Sequence, residues 1–150
     1  MNLNLLANLY LESDPAEISA ETQTELCDWL MQEFRQLPLN LLFSDNQRYN
    51  SPEEVFADIE QDKLWVNTEA YDTSIYTNPF YGAVLAAVHD YDHYCSQSDW
   101  TFEGEVIAYR TLANRSPSLE IQKILYSQIV LRAATHLYLG HSPEPKIVFP

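Results

Sequence analysis

The chain has 150 residues, of which 46% are hydrophobic, so it is long enough to bury a sizeable core and too apolar to remain disordered. Only three glycines occur, which argues against a turn-rich all-β fold and against a glycine-rich phosphate loop. The net charge of -14 disfavours binding to nucleic acids and to anionic membrane surfaces.

The N-terminal part of the chain has two apolar segments with helical character. Residues 3–12 form a short apolar stretch that is either a helix or a docked arm. From Ser19 to Leu37 the apolar residues return every three to four positions, which predicts an amphipathic helix. Pro38 is expected to end it.

The next segment combines a strong helix start with a strand. Ser51-Pro52-Glu53-Glu54 places an N-cap serine, a proline and two acids in the order that begins a helix. The sequence KLWVNT at residues 63–68 predicts a short strand, with residues 41–43 as a possible partner. The tyrosine-rich loop that follows, residues 71–81, is either a lid or an interface.

Three helices are expected in the second half. The first runs from Pro79 to about Cys95 and is rich in alanine, the second covers residues 102–114, and the third begins near Ser116 and ends before Gly140. The sequence therefore predicts one domain, residues 1–150, with a mainly α fold and a minimal β-element near residues 63–68. The two tryptophans near these elements, Trp65 and Trp100, are expected in the core or at its rim.

The main chemical signal is HDYDH at residues 89–93. Since residues four apart share a helix face, His89 and His93 can reach one ion together. Glu105 on the next helix is the best third ligand, with Glu103 a weaker one, and His136 could add a nitrogen. Two histidines and one carboxylate suit one divalent metal, zinc or iron(II).

A structural interpretation stays open beside the metal one. The metalloprotease pattern has glutamate after the first histidine, whereas this chain has the shorter Asp90. If a metal is bound, Asp90 would act as a base or orient a histidine. Alternatively, the histidines bond neighbouring acids or tyrosines and hold no metal at all.

The segment VHDYDHYCSQSDWTFEGEVIAY resembles an uncharacterised family common in phage and mobile-element proteins. That family carries VHD-x-x-x-H, an aromatic residue and GE-x-x-A followed by an aromatic, here Tyr109. The chain departs from it at Tyr91-Asp92, where the family has Phe-Gly, and at Gln128, near which the family often has glutamate. The resemblance implies a shared pocket built from His89, Asp90, His93 and Glu105, and no established reaction.

Three functions follow from these patterns. The first is a small acidic cytoplasmic protein of uncharacterised activity with this polar pocket, holding one divalent metal or none. The second is a hydrolase that uses a metal-bound water. The third is a non-catalytic acidic module that binds a protein partner. In each case the partner is a protein or small molecule, and neither nucleic acid nor membrane is expected.

Overall fold

The computed structural model describes residues 2–69 and 75–150 and confirms the mainly α fold. Its two strands form one small sheet. In chain order the elements are α1 (Leu3–Glu12), α2 (Ala20–Arg35), β1 (Asn40–Ser44), α3 (Pro52–Glu60), β2 (Lys63–Asn67), α4 (Phe80–Ser96), α5 (Phe102–Ala113), α6 (Leu119–Leu125), a π-helical segment (Tyr126–Leu131) and α7 (Arg132–Leu139).

Helices α2, α3 and α6 start at serines, as their sequences predict. The Ser19 and Ser51 hydroxyls accept the backbone N–H groups of Thr22 and Glu54 at 3.1 and 3.3 Å. The last helix is capped in the same way by Ser118. Each cap satisfies a donor that the first helical turn leaves unpaired. At the other end of the last helix, Gly140 has φ 81°, the left-handed conformation of a helix C-cap.

The two strands are parallel, with Asn40 opposite Lys63 and Ser44 opposite Asn67. The predicted strand near residues 63–68 and its partner at residues 41–43 are therefore confirmed. Parallel strands need a crossover, and α3 supplies it. The expectation that residues 3–12 form a helix or a docked arm resolves as a helix.

The last long helix contains a feature that the sequence did not predict. Between α6 and α7 the chain continues without a break through the π-helical segment, residues 126–131. Ser127 lies in that segment, and its buried hydroxyl accepts the Val148 N–H at 2.9 Å. The wider turn thus coincides with the docking point of the C-terminal tail.

Helix α4 lies at the centre of the fold. It packs against α2, α5 and β2, and Val84 and Val88 are fully buried there. Helix α1 packs against α7 at one end of the molecule. Among the described residues, no helix combines the length and apolar character needed to cross a membrane.

Candidate metal centre

Two helices bring three possible ligands together. His89 and His93 lie one turn apart on α4, and Glu105 faces them from the first turn of α5. The His89 Nε2 is 2.9 Å from Glu105 Oε2 and 3.1 Å from His93 Nε2. The His93 Nε2 is 3.4 Å from Glu105 Oε1. All three ligand atoms lie within 4.8 Å of one another, so the group could hold a metal ion.

The tight connection between α4 and α5 places Glu105. Gln97 ends α4 in the left-handed conformation, φ 53°, and turns the chain back. Thr101 then caps α5 by accepting the Gly104 N–H at 3.1 Å. A Cβ on Gly104 would lie 1.9 Å from the Asp99 carbonyl oxygen, so only glycine allows the loop to cross the first turn of α5 at this distance.

The ring of His93 is fixed by contacts at its Nδ1 atom and on its face. Its Nδ1 lies 3.2 Å from the Ser98 carbonyl oxygen and 3.1 Å from the Ser98 hydroxyl. Because a carbonyl only accepts, Nδ1 carries a proton, and Nε2 is the ring nitrogen that faces Glu105 and His89. Trp100 stacks on the same ring at 3.9 Å with an interplanar angle of 16°. These contacts fix the orientation that a metal ligand needs.

His89 lacks the equivalent support. Its Nδ1 is buried and has no hydrogen-bond partner among the described residues. Metal-binding histidines usually donate the second ring N–H to an acceptor. His89 is therefore the less well supported nitrogen of the group.

The charges of the group are strongly coupled. Burial alone would raise the pKa of Glu105, but hydrogen bonds to His89 and His93 and their charges lower it to about 2. Burial likewise opposes the charged form of His89, yet the hydrogen bond and charge of Glu105 raise the pKa of His89 above its ordinary value. In the absence of metal, a proton on His89 compensates the carboxylate.

The distances fit a small ion after a limited adjustment. With bonds of about 2.0–2.1 Å, ligand atoms around tetrahedral zinc lie about 3.4 Å apart. His89 Nε2 lies 2.9 Å from Glu105 Oε2 and 3.1 Å from His93 Nε2, whereas the 3.4 Å contact of His93 runs to the other carboxylate oxygen, Oε1. With one ligand atom from each residue, the three atoms lie within 4.8 Å of one another, so the side chains would have to adjust around an ion.

The group opens onto a cavity of about 700 Å³. His89 and Glu105 line it, and the face of the last helix that carries Gln128, Arg132 and His136 lies across from them. Arg132 has no ion pair or hydrogen bond from its side chain among the residues described. Of the tyrosine-rich loop, residues 71–74 fall outside the described residues, whereas Ile75 and Tyr76 line the same cavity.

Two of the predicted pocket residues lie elsewhere. Glu103 is exposed at the start of α5 and lines neither this cavity nor a neighbouring one. Tyr109 is directed away from the pocket, packs edge-on against Tyr126 at 5.4 Å and donates to the Gln122 carbonyl at 3.4 Å. Gln128 and His136 do share the cavity of the histidines.

Asp90 lines a different cavity from His89. One residue along a helix is a rotation of about 100°, so the two side chains leave α4 on different faces. Asp90 faces a smaller cavity beside α3 and β2. Burial raises the pKa of Asp90 to about 6, although the nearby histidine charges act against it. This placement supports neither predicted role of Asp90, as a base at the metal site or as the residue that orients a histidine.

Sequence reasoning missed the supports of the site. Asp92 is buried and receives two bonds from Arg115, at 2.9 and 3.0 Å, and Arg115 also bonds Glu33 of α2. No spacing rule predicts such a long-range pair. The signal for Arg132 was present, since Gln128, Arg132 and His136 recur at four-residue intervals on one helix.

The chain was compared with models of protein families, with curated proteins and with solved structures, and no match was found. The resemblance to the phage-associated family therefore stays a prediction. The geometry of the two histidines, Glu105 and their cavity is then the basis for assigning a function.

Proposed function

We propose that the protein binds one divalent metal ion, zinc or iron(II), through His89, His93 and Glu105, and that it is a metal-dependent hydrolase. The observation that carries the proposal is the convergence of two imidazoles and one carboxylate, within 4.8 Å, at the wall of an accessible cavity. Structural zinc sites are usually closed by four protein ligands. Three ligands and a cavity on the remaining side match a catalytic site instead.

The proposed chemistry follows from the open position. A metal there lowers the pKa of a bound water to about 7 and supplies a nucleophile at neutral pH. Arg132 lies across the same cavity without a partner among the described side chains. A guanidinium in that place favours substrates with a carboxylate or phosphate group next to the bond that is cleaved.

Elemental analysis tests metal binding directly. The protein should be purified without chelator and without a nickel column, then measured by mass spectrometry for zinc, iron and manganese. We expect about one equivalent of metal per chain, as for a single three-ligand site. His93→Ala and Glu105→Gln should each remove it. Glu103→Gln is the matched control, since it changes an exposed acid two residues earlier on α5.

Two results would contradict the proposal. One is a parent protein that neither contains metal nor takes up zinc on titration. The other is a Glu105→Gln variant that binds as much metal as Glu103→Gln does. Only after metal is found does a screen of ester, amide and phosphoester substrates become informative, with Arg132→Gln as the variant that should lose anionic substrates first.

A further inference from the structure

The smaller cavity beside α4 is a second candidate site. It has a volume of about 330 Å³, at the lower end of the range for small-molecule pockets. Its walls come from α3, β2, α4 and the segments that precede α3 and α5. All of its lining residues are among those that the structure describes.

Small side chains on α4 create the space. Ala83, Ala86, Ala87 and Asp90 follow the i, i+3, i+4, i+7 pattern of one helix face, and all four line the cavity. Ala83 and Ala87 are buried, so the helix leaves an open volume where larger residues would fill it. The face of α4 that lines the cavity therefore consists of three alanines and one charged residue, Asp90.

Three aromatic rings form the walls and are held in place. The Tyr49 hydroxyl donates to the Asp58 carboxylate and accepts the backbone N–H of Trp65, both at 2.9 Å. The Arg48 guanidinium lies 4.0 Å from the Trp65 ring centre. Trp100 is fixed by its stack on His93. Ordered rings reduce the entropy lost when a ligand binds.

Asp90 is the one charged side chain that lines this cavity. It makes no hydrogen bond or ion pair with any residue that the structure describes. The other polar lining side chains are neutral, and they include Gln47, Ser51 and Asn67. Asp90 is partly buried, and burial raises the pKa of its carboxyl group to about 6. A partly buried carboxylate without a partner in the described chain is stabilised by a cation that enters the cavity.

We infer that this cavity binds a small organic cation, an amine, amidine or guanidine with a flat apolar body. The cation pairs with Asp90, and its body lies against Tyr49, Trp65 and Trp100. Aromatic faces attract cations as well as apolar surface, so both parts of such a ligand find complementary groups. A net charge of -14 adds to the preference for a cation over an anion.

A bare metal ion fits this cavity less well. One carboxylate and neutral amides, with aromatic and alanine walls, do not supply the oxygen ligands that hard cations require. The inference does not rest on metal binding at His89, His93 and Glu105, because Asp90 and the aromatic walls are not among those ligands. Trp100 is shared, since it lines this cavity and also stacks on His93.

Three probes of nearly equal shape test the inference: benzamidine, which is cationic, benzamide, which is neutral, and benzoate, which is anionic. Binding is followed at pH 8 through the indole N–H signals of the three tryptophans in a nitrogen–proton NMR spectrum. We expect benzamidine to bind about tenfold or more tightly than benzamide, and benzoate not to bind. The signals of Trp65 and Trp100 should shift, whereas that of Trp29, outside the cavity, should not.

Asp90→Asn keeps the shape of the side chain and removes its charge. It should reduce benzamidine affinity to that of benzamide and leave benzamide unchanged. Asp28→Asn, the same substitution at an exposed site on α2, should bind benzamidine like the parent. Equal affinity for benzamidine and benzamide would overturn the inference. Unchanged benzamidine binding by Asp90→Asn, or shifts confined to Trp29, would do so too.

Discussion

Two glycines of this chain have different reasons to be glycine. Gly140 needs its left-handed conformation, φ 81°, but has open space around the position of a Cβ. Gly104 has no unusual φ, yet a Cβ there would lie 1.9 Å from a backbone oxygen of Asp99. Replacing Gly140 would strain the backbone at that one residue. Replacing Gly104 would displace the loop that positions Glu105.

Alanine at each glycine should therefore give separable results. Gly140→Ala should lower the free energy of unfolding by about 1–2 kcal/mol and leave metal content unchanged. Gly104→Ala should cost about 1–3 kcal/mol or more, and should also reduce metal uptake because Glu105 is displaced. Urea unfolding and elemental analysis measure both. Normal metal content in Gly104→Ala would show that the loop does not control the position of Glu105.

The candidate site could be predicted from the sequence only in part. His89 and His93 follow from the four-residue spacing, and Glu105 follows because a short connection makes the next helix antiparallel. Asp90 was grouped with them through the metalloprotease-like pattern and the family resemblance, although helix geometry places it on another face. The hydrogen bond from His93 Nδ1 to the Ser98 carbonyl uses a backbone group that every residue has, so no sequence pattern indicates it.

At the level of the elements, the helices were predictable because their ends are marked. Ser19, Ser51 and Ser118 cap the expected starts, and Gly140 marks the expected end. The π-helical segment could not be predicted, because the one-position shift that a wide turn introduces cannot be told apart from the ordinary mixture of three- and four-residue apolar spacings in a helix. The pairing of β1 with β2 was predictable as a candidate because few other strand segments compete.

The ion-pair network between helices makes a further prediction. Arg115 follows α5 and reaches the buried Asp92 of α4 and Glu33 of α2. Arg115→Met removes the partner of a carboxylate that is only 4% exposed. We expect a loss of roughly 2 kcal/mol in the free energy of unfolding, below the value for a fully buried pair because Arg115 itself is partly exposed.

Arg110→Met is the control for that experiment, because Arg110 is exposed on α5 and makes no ion pair with the residues described. Its effect should stay within about 0.5 kcal/mol. Chemical unfolding of both variants measures the difference. Equal stabilities would mean that the Arg115 network contributes nothing to holding α4, α5 and α2 together.

At the scale of the whole molecule, hydrogen bonds join the N-terminal segment to the C-terminal tail. The Tyr10 hydroxyl of α1 donates to the Glu144 carbonyl at 2.8 Å and accepts the Lys146 N–H at 3.0 Å. The Ala16 N–H donates to the Ile147 carbonyl at 2.7 Å. Residues 147 and 148 are buried, and they pack beside the π-helical segment. The C-terminal tail is therefore a structural part of the fold.

Tyr10→Phe tests how much the hydrogen bonds between the two ends of the chain contribute to the free energy of unfolding. The change removes the hydroxyl of a residue that is 1% exposed and leaves the Lys146 N–H without its acceptor. We expect the free energy of unfolding to fall by about 1–3 kcal/mol, the cost of an unsatisfied buried donor. Tyr138→Phe, on the exposed face of α7, should change it by less than about 0.5 kcal/mol. Since Tyr10 lines neither cavity, metal content and benzamidine binding should remain those of the parent. A loss of either in Tyr10→Phe would mean that closure of the chain ends controls the sites as well as the stability.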